Sequence, residues 1–480
     1  MEIIYQPHID HELQYLIERI YPPRSAKVSG SSIFQHSTID LKTTVDSANK
    51  HGILLAMVQV LTDLDLVISK SYISSDGGWF MDVFHVTDQL GNKLTDERLI
   101  LYIKQALCET RRGGNSPSEE VNAFLGRDVM PGQKDTALEM TGTDRPGLMS
   151  EISAVLVELG CNVTATMAWT HNSRAACIVY VENGPGGGPI TDPIRLAQVQ
   201  EQLQNVVEAH HGKGEKRSVR LTTPAPGRTH TERRLHQLMY EDGDYERCRG
   251  CDGGGTTHKQ GCDRTHVTIE RCEEKGYWIV NVRSRDRPKL LFDTVCALAD
   301  LEYVVSHAVV ASKGTIADQE YFIRHKYGCP LDTESERRKL ILCLIAAIER
   351  RISHGLRLDL CSPNQMGLFS DITRVFRENG LSMSRIEITT RDDKAFGSIY
   401  VTDASGNDVD PETVELAITE IGGSIIAVHR SPDWVPRRSS PSTSPEIAKR
   451  EVEDRPRFSF GSLFWSQLER LSSSFRPIRS

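Results

Sequence analysis

Nowhere in the 480 residues is there an apolar run of the roughly 18 residues that a membrane-spanning helix needs, so no span is expected. The opening stretch, MEIIYQPHIDHELQYLIERIYPPR, has an acid in second place and no apolar core of signal-peptide length. A basic excess is missing as well. Lys and Arg number 57 against 65 Asp and Glu, for a formal net charge of -8 and a pI near 6.1. Nucleic acid is therefore not an expected partner. Catalytic signatures are absent: there is no GxSxG, no HExxH and no kinase set. The 16 histidines do not cluster with an Asp–Ser or Asp–Cys pair. GPGGG at 184–188 lacks the GK[ST] of a phosphate loop and reads as a turn. A protein that is not an enzyme and holds no cofactor is expected. The 11 cysteines, odd in number and scattered, read as reduced thiols in a cytoplasmic or nuclear chain.

What the chain does have is a repeat. NKHGIL (Asn49–Leu54), DRPGLM (Asp144–Met149), DRPKLL (Asp286–Leu291) and NQMGLF (Asn364–Phe369) share one form. An Asn or Asp is followed by two residues, a Gly (Lys289 in the third copy) and two apolar residues. An apolar stripe at helical spacing then begins. In the first copy it is Ile53, Leu54, Met57, Val60, Leu61 and Leu64; in the second, Leu148, Met149, Ile152, Val155, Leu156 and Leu159. The third and fourth stripes start at Leu290 and Leu368. An alternating strand pattern precedes each stripe: TIDLKT, TALEMT, YWIVNVRS and LRLDLC. Two further strands and a second helix follow. The unit is β-α-β-β-α, about 75 residues long, and a closing strand is clear only after the second copy (RSVRLTT) and the fourth (SIIAVHR).

Such a unit folds as a split-βαβ, ferredoxin-like sandwich whose sheet edge is open. Pairing two units covers an edge that would otherwise invite aggregation, so four copies suggest two pairs. The expected fold class is α+β, with four tandem ferredoxin-like βαββα(β) units at 36–112, 134–223, 264–350 and 354–432. Around them lie an N-terminal segment (1–35), a linker (113–133), a flexible linker (224–263) and a disordered Ser/Pro/Arg-rich tail (433–480). In the second linker, Cys248, Cys251, His258 and Cys262 are ligand types that would suit zinc. Their C-x2-C-x6-H-x3-C spacing fits no recognised zinc pattern, and the surrounding glycines suit a loose loop, so no metal is expected. In the tail, RRSSPSTSPEIAKR offers basic-flanked serines, and Phe464, Leu468, Leu471 and Phe475 form a stripe that could dock on a groove, a membrane surface or this protein itself.

The repeated turn lies where a first strand enters a first helix. Free N–H groups at a helix start favour an anion. Gly52, Gly147 and Gly367 let a ligand approach the backbone closely. Asn49, Asp144 and Asn364 carry oxygens able to accept from an ammonium. Donors for a carboxylate beside an acceptor for an ammonium describe an amino-acid zwitterion. The same residues are also ordinary capping and turn chemistry. In the second copy Pro146 has no N–H and suits a first helical turn, which leaves the donors of Gly147, Leu148 and Met149.

The β–DRPG-L–α–β–β–α unit resembles the ACT domain, a small regulatory module that binds amino acids. Four copies over about residues 36 to 432 are similar to the plant ACT-domain-repeat proteins. Their linker pattern has the form RRLHQLMYEDGDYE, here Arg233–Glu246, and SRDRPKLLFD at Ser284–Asp293 and TDASGN at Thr402–Asn407 extend the likeness. The resemblance implies amino-acid binding where the first loop of one domain meets the second strand of a paired domain. On this chain it names Asp144, Gly147 and Leu148, and the turn chemistry of that second loop, with Arg145 and Pro146 between them, makes it the first candidate. Asn49, Gly52 and Ile53 follow, and then Asn364, Gly367 and Leu368. Lys289 departs from the pattern in the third copy. The expected function is a non-enzymatic amino-acid sensor. Its expected partners are a small-molecule amino acid and a further protein, either a second copy of the chain or a regulated protein. An interaction scaffold without a ligand, or a regulatory subunit of a separate amino-acid or nitrogen enzyme, fits the same residues.

Overall fold

The computed structural model describes residues 27–29, 41–48, 52–76, 79–110, 135–209, 218–222, 230–247, 265–272, 276–328, 331–352, 355–391, 393–422 and 425–430. The first unit comprises β1 (Lys27–Ser29), β2 (Leu41–Ala48), α1 (Ile53–Asp63), β3 (Val67–Asp76), β4 (Trp79–Thr87) and α2 (Glu97–Thr110). The second comprises β5 (Thr136–Thr143), α3 (Leu148–Glu158), β6 (Cys161–His171), β7 (Arg174–Asn183), α4 (Pro193–Glu208) and β8 (Ser218–Thr222). A helix α5 (Thr231–Glu241) comes next. The third unit comprises β9 (His266–Cys272), β10 (Tyr277–Arg285), α6 (Leu290–Asp300), β11 (Tyr303–Lys313), β12 (Ile316–His325) and α7 (Glu334–Glu349). The fourth comprises β13 (Leu356–Pro363), α8 (Leu368–Glu378), β14 (Leu381–Arg391), β15 (Lys394–Asp403), α9 (Pro411–Ile421) and β16 (Ile425–Arg430).

All four first helices begin at the first apolar residue of their stripe, because the stripe is the face they bury. In α3 that face is Leu148, Met149, Ile152 and Leu156. Two of the second helices, α4 and α7, start by ordinary capping. Ile194 N–H donates to the Asp192 carboxylate (3.1 Å) ahead of Pro193, and Glu336 N–H donates to the Thr333 hydroxyl (3.2 Å).

The strands form two eight-stranded sheets, in the orders β1-β2-β4-β3-β11-β12-β10-β9 and β16-β13-β15-β14-β6-β7-β5-β8. The units therefore pair as first with third and second with fourth. In each pair the two second strands join antiparallel, centred on Tyr72 opposite Val309 and on Met167 opposite Glu387. The edge that each unit alone would expose is thereby consumed. The first helices pack across the same axis, α1 on α6 and α3 on α8. Each pair has one continuous hydrophobic core. One holds Met57 and Phe84 with Phe292 and Ile323, the other Leu138 and Ile152 with Ile386 and Ile399.

The outer fourth strand also differs between repeats. In the second and fourth units it follows the second helix, as β8 and β16. In the first and third it comes before the first strand, as β1 and β9, and fills the same place antiparallel to that strand. The stretch 224–263, expected as a flexible linker, needs correction over its described part. Helix α5 lies on the sheet face that α3 and α4 leave open and buries Leu235, Leu238 and Met239 against Ala137, Trp169 and Tyr180. The apolar spacing of those three side chains is what binds it there. The buried Arg174 guanidinium pairs with Asp242 just beyond the helix (2.7 Å from Nη2), and Arg350 at the end of α7 pairs with Asp244 (2.6 and 2.7 Å).

Candidate functional site

The second loop is built from the end of β5 and the start of α3. Gly147 caps the helix with φ at 82°, in the left-handed region that side chains resist. That conformation gives the glycine a structural reason besides close approach of a ligand. Leu148 N–H donates to the Arg145 carbonyl (3.2 Å) and Glu151 N–H to the Gly147 carbonyl (3.0 Å). The expected Leu148 donor is therefore spent inside the turn, and the orphan donors of the helix start are at Met149 and Ser150. Asp144 N–H is tied to the Ser173 carbonyl (2.9 Å). Burial pushes the Asp144 carboxyl up to about 6. Among the described residues that carboxylate forms no hydrogen bond or ion pair. Arg145 does not offer its charge outward, because both Nη atoms bind Glu151 (2.8 and 2.5 Å). Pro146 is exposed beside them.

A cleft opens in front of this loop, with about 580 Å³ of space not filled by atoms, part of it open to solvent. Its far wall belongs to the fourth unit: Met383, Ser384, Arg385 and Ile386 of β14. The wall is fixed in place by two bonds. Thr170 of β6 donates to the Ser384 carbonyl (3.2 Å), and Arg385 donates to the Arg351 carbonyl (3.0 Å) while its other nitrogens hold Glu387 (2.6 and 2.9 Å).

The approximate two-fold relation of the pair makes a reciprocal cleft, with about 440 Å³ of space not filled by atoms, part of it open to solvent. There Asn364, Gly367 and Leu368 face Cys161, Asn162 and Val163 of β6. Gly367 repeats the left-handed cap at φ 86°, and Leu368 N–H donates to the Gln365 carbonyl (3.1 Å). In the first unit Gly52 caps α1 in the same way and Ile53 is buried. Asn49 lies outside the described residues, as do Cys248, Cys251, His258, Cys262 and the tail stripe.

The third loop is different. Lys289 takes the left-handed conformation in place of glycine, with φ at 65°. Its ammonium meets Glu232 of α5 (2.6 Å), which Arg351 also holds (2.9 Å). Arg351 forms a fork on Asp293 of α6 (2.9 Å), which Arg287 (2.7 Å) and His236 (2.8 Å) reach as well. Burial alone would raise both carboxyls. The Arg351 and Lys289 cations hold Glu232 well below the usual carboxylate range, and Arg351, Arg287 and His236 do the same for Asp293. Burial, with Arg350 and Arg351 nearby, lowers the His236 ring.

The ACR family N-terminal ACT domain matches residues 34–114, and the ACT domain matches residues 357–423. ACT domain-containing protein ACR1 of Arabidopsis thaliana is 54% identical over 490 residues, covering 100% of both chains. The chain belongs to the ACR family of ACT domain-containing proteins. ACR3 of the same plant is 47% identical over 428 residues (89% of this chain, 91% of that one), and ACR4 is 44% identical over 460 residues (96% of each). ACT domains give this ACR-family chain a regulatory character in general.

In the ACR-family chain the candidate residues fall at separate clefts. Asp144, Arg145, Gly147 and Leu148 share one, and Asn364, Gly367 and Leu368 another. The wall residues Met383, Ser384 and Arg385 lie on a second strand, where the resemblance put the other side of a site, but the sequence does not say which second strand meets which loop. Their role follows only from the register of β14 on β6. Among the described residues no group of three or more His, Cys, Asp or Glu could hold a metal ion, and no helix is long and apolar enough to cross a membrane.

Proposed function

We propose that this ACR-family chain is a non-enzymatic, amino-acid-responsive regulatory protein, with its principal ligand site between the Asp144–Met149 loop and Met383–Arg385. The observation that carries the reading is the Asp144 carboxylate. It is half-buried in the lining of the cleft, is pushed up to about 6 by burial, and forms no ion pair among the described residues, since Arg145 and Arg385 in the same lining are held by Glu151 and Glu387. A ligand ammonium would neutralise it. The ligand carboxylate would sit at the start of α3, on the Met149 and Ser150 N–H groups and the positive end of the helix. Since the two walls belong to different units, a bound amino acid favours the packed pair by its differential affinity for that arrangement. Arg385 carries the effect further. It bonds the carbonyl of Arg351, whose own side chain joins α5 to the third unit.

Gly147→Val tests the site. The new Cβ would meet Arg377 Cδ at 3.0 Å, and a branched residue would occupy the left-handed region at a cost of about 1–2 kcal/mol. With protein that still folds, calorimetric titration across the twenty amino acids should show the wild-type ligand weakened at least ~10-fold, about 1.4 kcal/mol. Equal affinities in the two proteins would remove this loop from the site. A wild-type thermal stability indifferent to every amino acid would favour the scaffold reading instead.

A further inference from the structure

Resting on that reading, we propose that the cleft of the second unit selects an amino acid with a compact, uncharged aliphatic side chain, and that Cys177 is the residue that sets this preference. Behind Asp144 the floor is made of Met140, Met149, Ile152, Ala168, Cys177 and Ile386. All are apolar, and all are buried. Burial pushes the Cys177 thiol up to about 12, so this side chain stays neutral. The two cations that line the cleft are already matched, Arg145 by Glu151 and Arg385 by Glu387. A ligand carboxylate, ammonium or amide entering among these six would lose its water and find no counter-charge, while the hydroxyls of Thr141, Thr143 and Thr170 in the same lining already bond Ser218, Arg174 and the Ser384 carbonyl. An aliphatic side chain loses nothing there and buries apolar area.

The same register position in the other units shows why Cys177 matters. It pairs with Met140 of the first strand, and its counterparts pair in the same way: Asp82 with Val45, Gln319 with Val282 and Gly397 with Leu360. At 82 the floor carries a buried carboxyl. At 319 the amide is engaged by the Tyr321 hydroxyl, which donates to Oε1 (2.5 Å). At 397 the backbone of Glu387 closes in, and a Cβ would lie 2.0 Å from its carbonyl. Only the second unit puts a small, neutral and polarisable side chain there. One position on the third strand thus makes four loops of common design chemically unequal.

The test titrates L-valine, L-leucine, L-isoleucine and L-methionine, and separately L-glutamate, L-glutamine and L-lysine, into the full chain by calorimetry. At least one of the aliphatic set should bind ~10-fold or more tighter than any of the polar set. Cys177→Leu fills the floor and should weaken that ligand at least ~10-fold while leaving L-alanine within about threefold, because only the longer side chain needs the space. Circular dichroism confirms that the variant is folded. If it is not, Met383→Ala, on the half-buried opposite wall, should weaken the same ligand at least ~5-fold through lost contact. A polar amino acid binding best, and lost with Gly147→Val, overturns the aliphatic selection while the site itself stands. Aliphatic binding indifferent to both floor and wall variants overturns the role of Cys177. No binding by any amino acid to folded wild-type protein overturns the underlying reading.

Discussion

The two sheet pairs have the same frame and use it in opposite ways. In the second–fourth pair, the Asp144 loop keeps its glycine, its carboxylate faces a cleft, and its helix-start donors remain at hand. In the first–third pair, the corresponding Asp286 loop has Lys289 at the glycine position, and the chain supplies its own ligands: Glu232 from α5 for the ammonium, and Arg351 to tie Glu232 to Asp293. Even the helix contacts differ. Where α3 meets α8, the Ser153 and Thr373 hydroxyls share a hydrogen bond (2.8 Å), and the corresponding positions of α1 and α6 are Val58 and Val295. A repeated fold can thus keep one copy open to solutes and convert another into an internal fastening. The choice is made by charge at a few positions, with the backbone unchanged.

Breaking the fastening should have the largest effect. Asp293→Ala leaves Arg351, Arg287 and His236 buried without their carboxylate, and should cost about 3–5 kcal/mol in chemical denaturation. A loss below about 1 kcal/mol would mean that the cluster does not hold the third unit to α5. Next is Asp82, whose carboxyl is pushed up to about 8 by burial. The folded state keeps a proton that the unfolded chain has released, so stability falls as pH rises from about 4 towards 8. The advantage of Asp82→Asn should therefore grow by roughly 2–4 kcal/mol across that window. A pH-independent difference between the two proteins contradicts a buried carboxyl.

Asp144→Asn sharpens the comparison from the open side. Its carboxyl, raised to about 6, is a burden in the ligand-free protein above that pH, so the substitution should add about 1–2 kcal/mol of stability there and none near pH 4. The same change should abolish the ligand's thermal shift; a variant both more stable and fully responsive would separate Asp144 from binding. In the wild type, affinity should fall as pH drops through 6, because the carboxylate that meets the ammonium is lost. The smallest effect is at the axis. Ser153→Val together with Thr373→Val imitates the other pair and should change stability by less than about 1 kcal/mol, whereas Ser153→Val alone leaves Thr373 with one partner fewer and should cost more than the double change.

Much of the frame was legible in the residues. The four apolar stripes fixed the starts of α1, α3, α6 and α8, because burial of a helical face imposes a period that survives sequence divergence. The second strands were legible through their own shorter period, in which successive side chains take opposite faces. Which strands join was not: Met167 and Glu387 lie more than two hundred residues apart, and nothing local encodes their register. Hence Met383 to Arg385 could not be read as a wall of the cleft. β1 is three residues long, too short for any alternation to show. Helix α5 was hidden by its glycine-rich neighbour, although Leu235, Leu238 and Met239 already carried a helical stripe. The turn glycines were legible as special but for an incomplete reason. Gly147 is needed at φ 82°, and Lys289 shows that a charged residue holds the same conformation when its side chain has a carboxylate to reach.

The interleaved pairing of units also bears on how the chain comes into being. A ribosome releases the first unit long before the third, at about 5–20 residues per second, and Tyr72 must wait for Val309. For an interval on the order of ten seconds or more, β3 presents bare edge amides and carbonyls to its surroundings, while the second unit, next to emerge, is destined for the fourth. A nascent first unit that seizes the second would build a sheet with the wrong neighbour. The order of the repeats therefore sets a proofreading problem during synthesis, and side chains such as Lys70 on that waiting edge, opposite Ala311 in the finished sheet, stand where charge discourages premature strand capture.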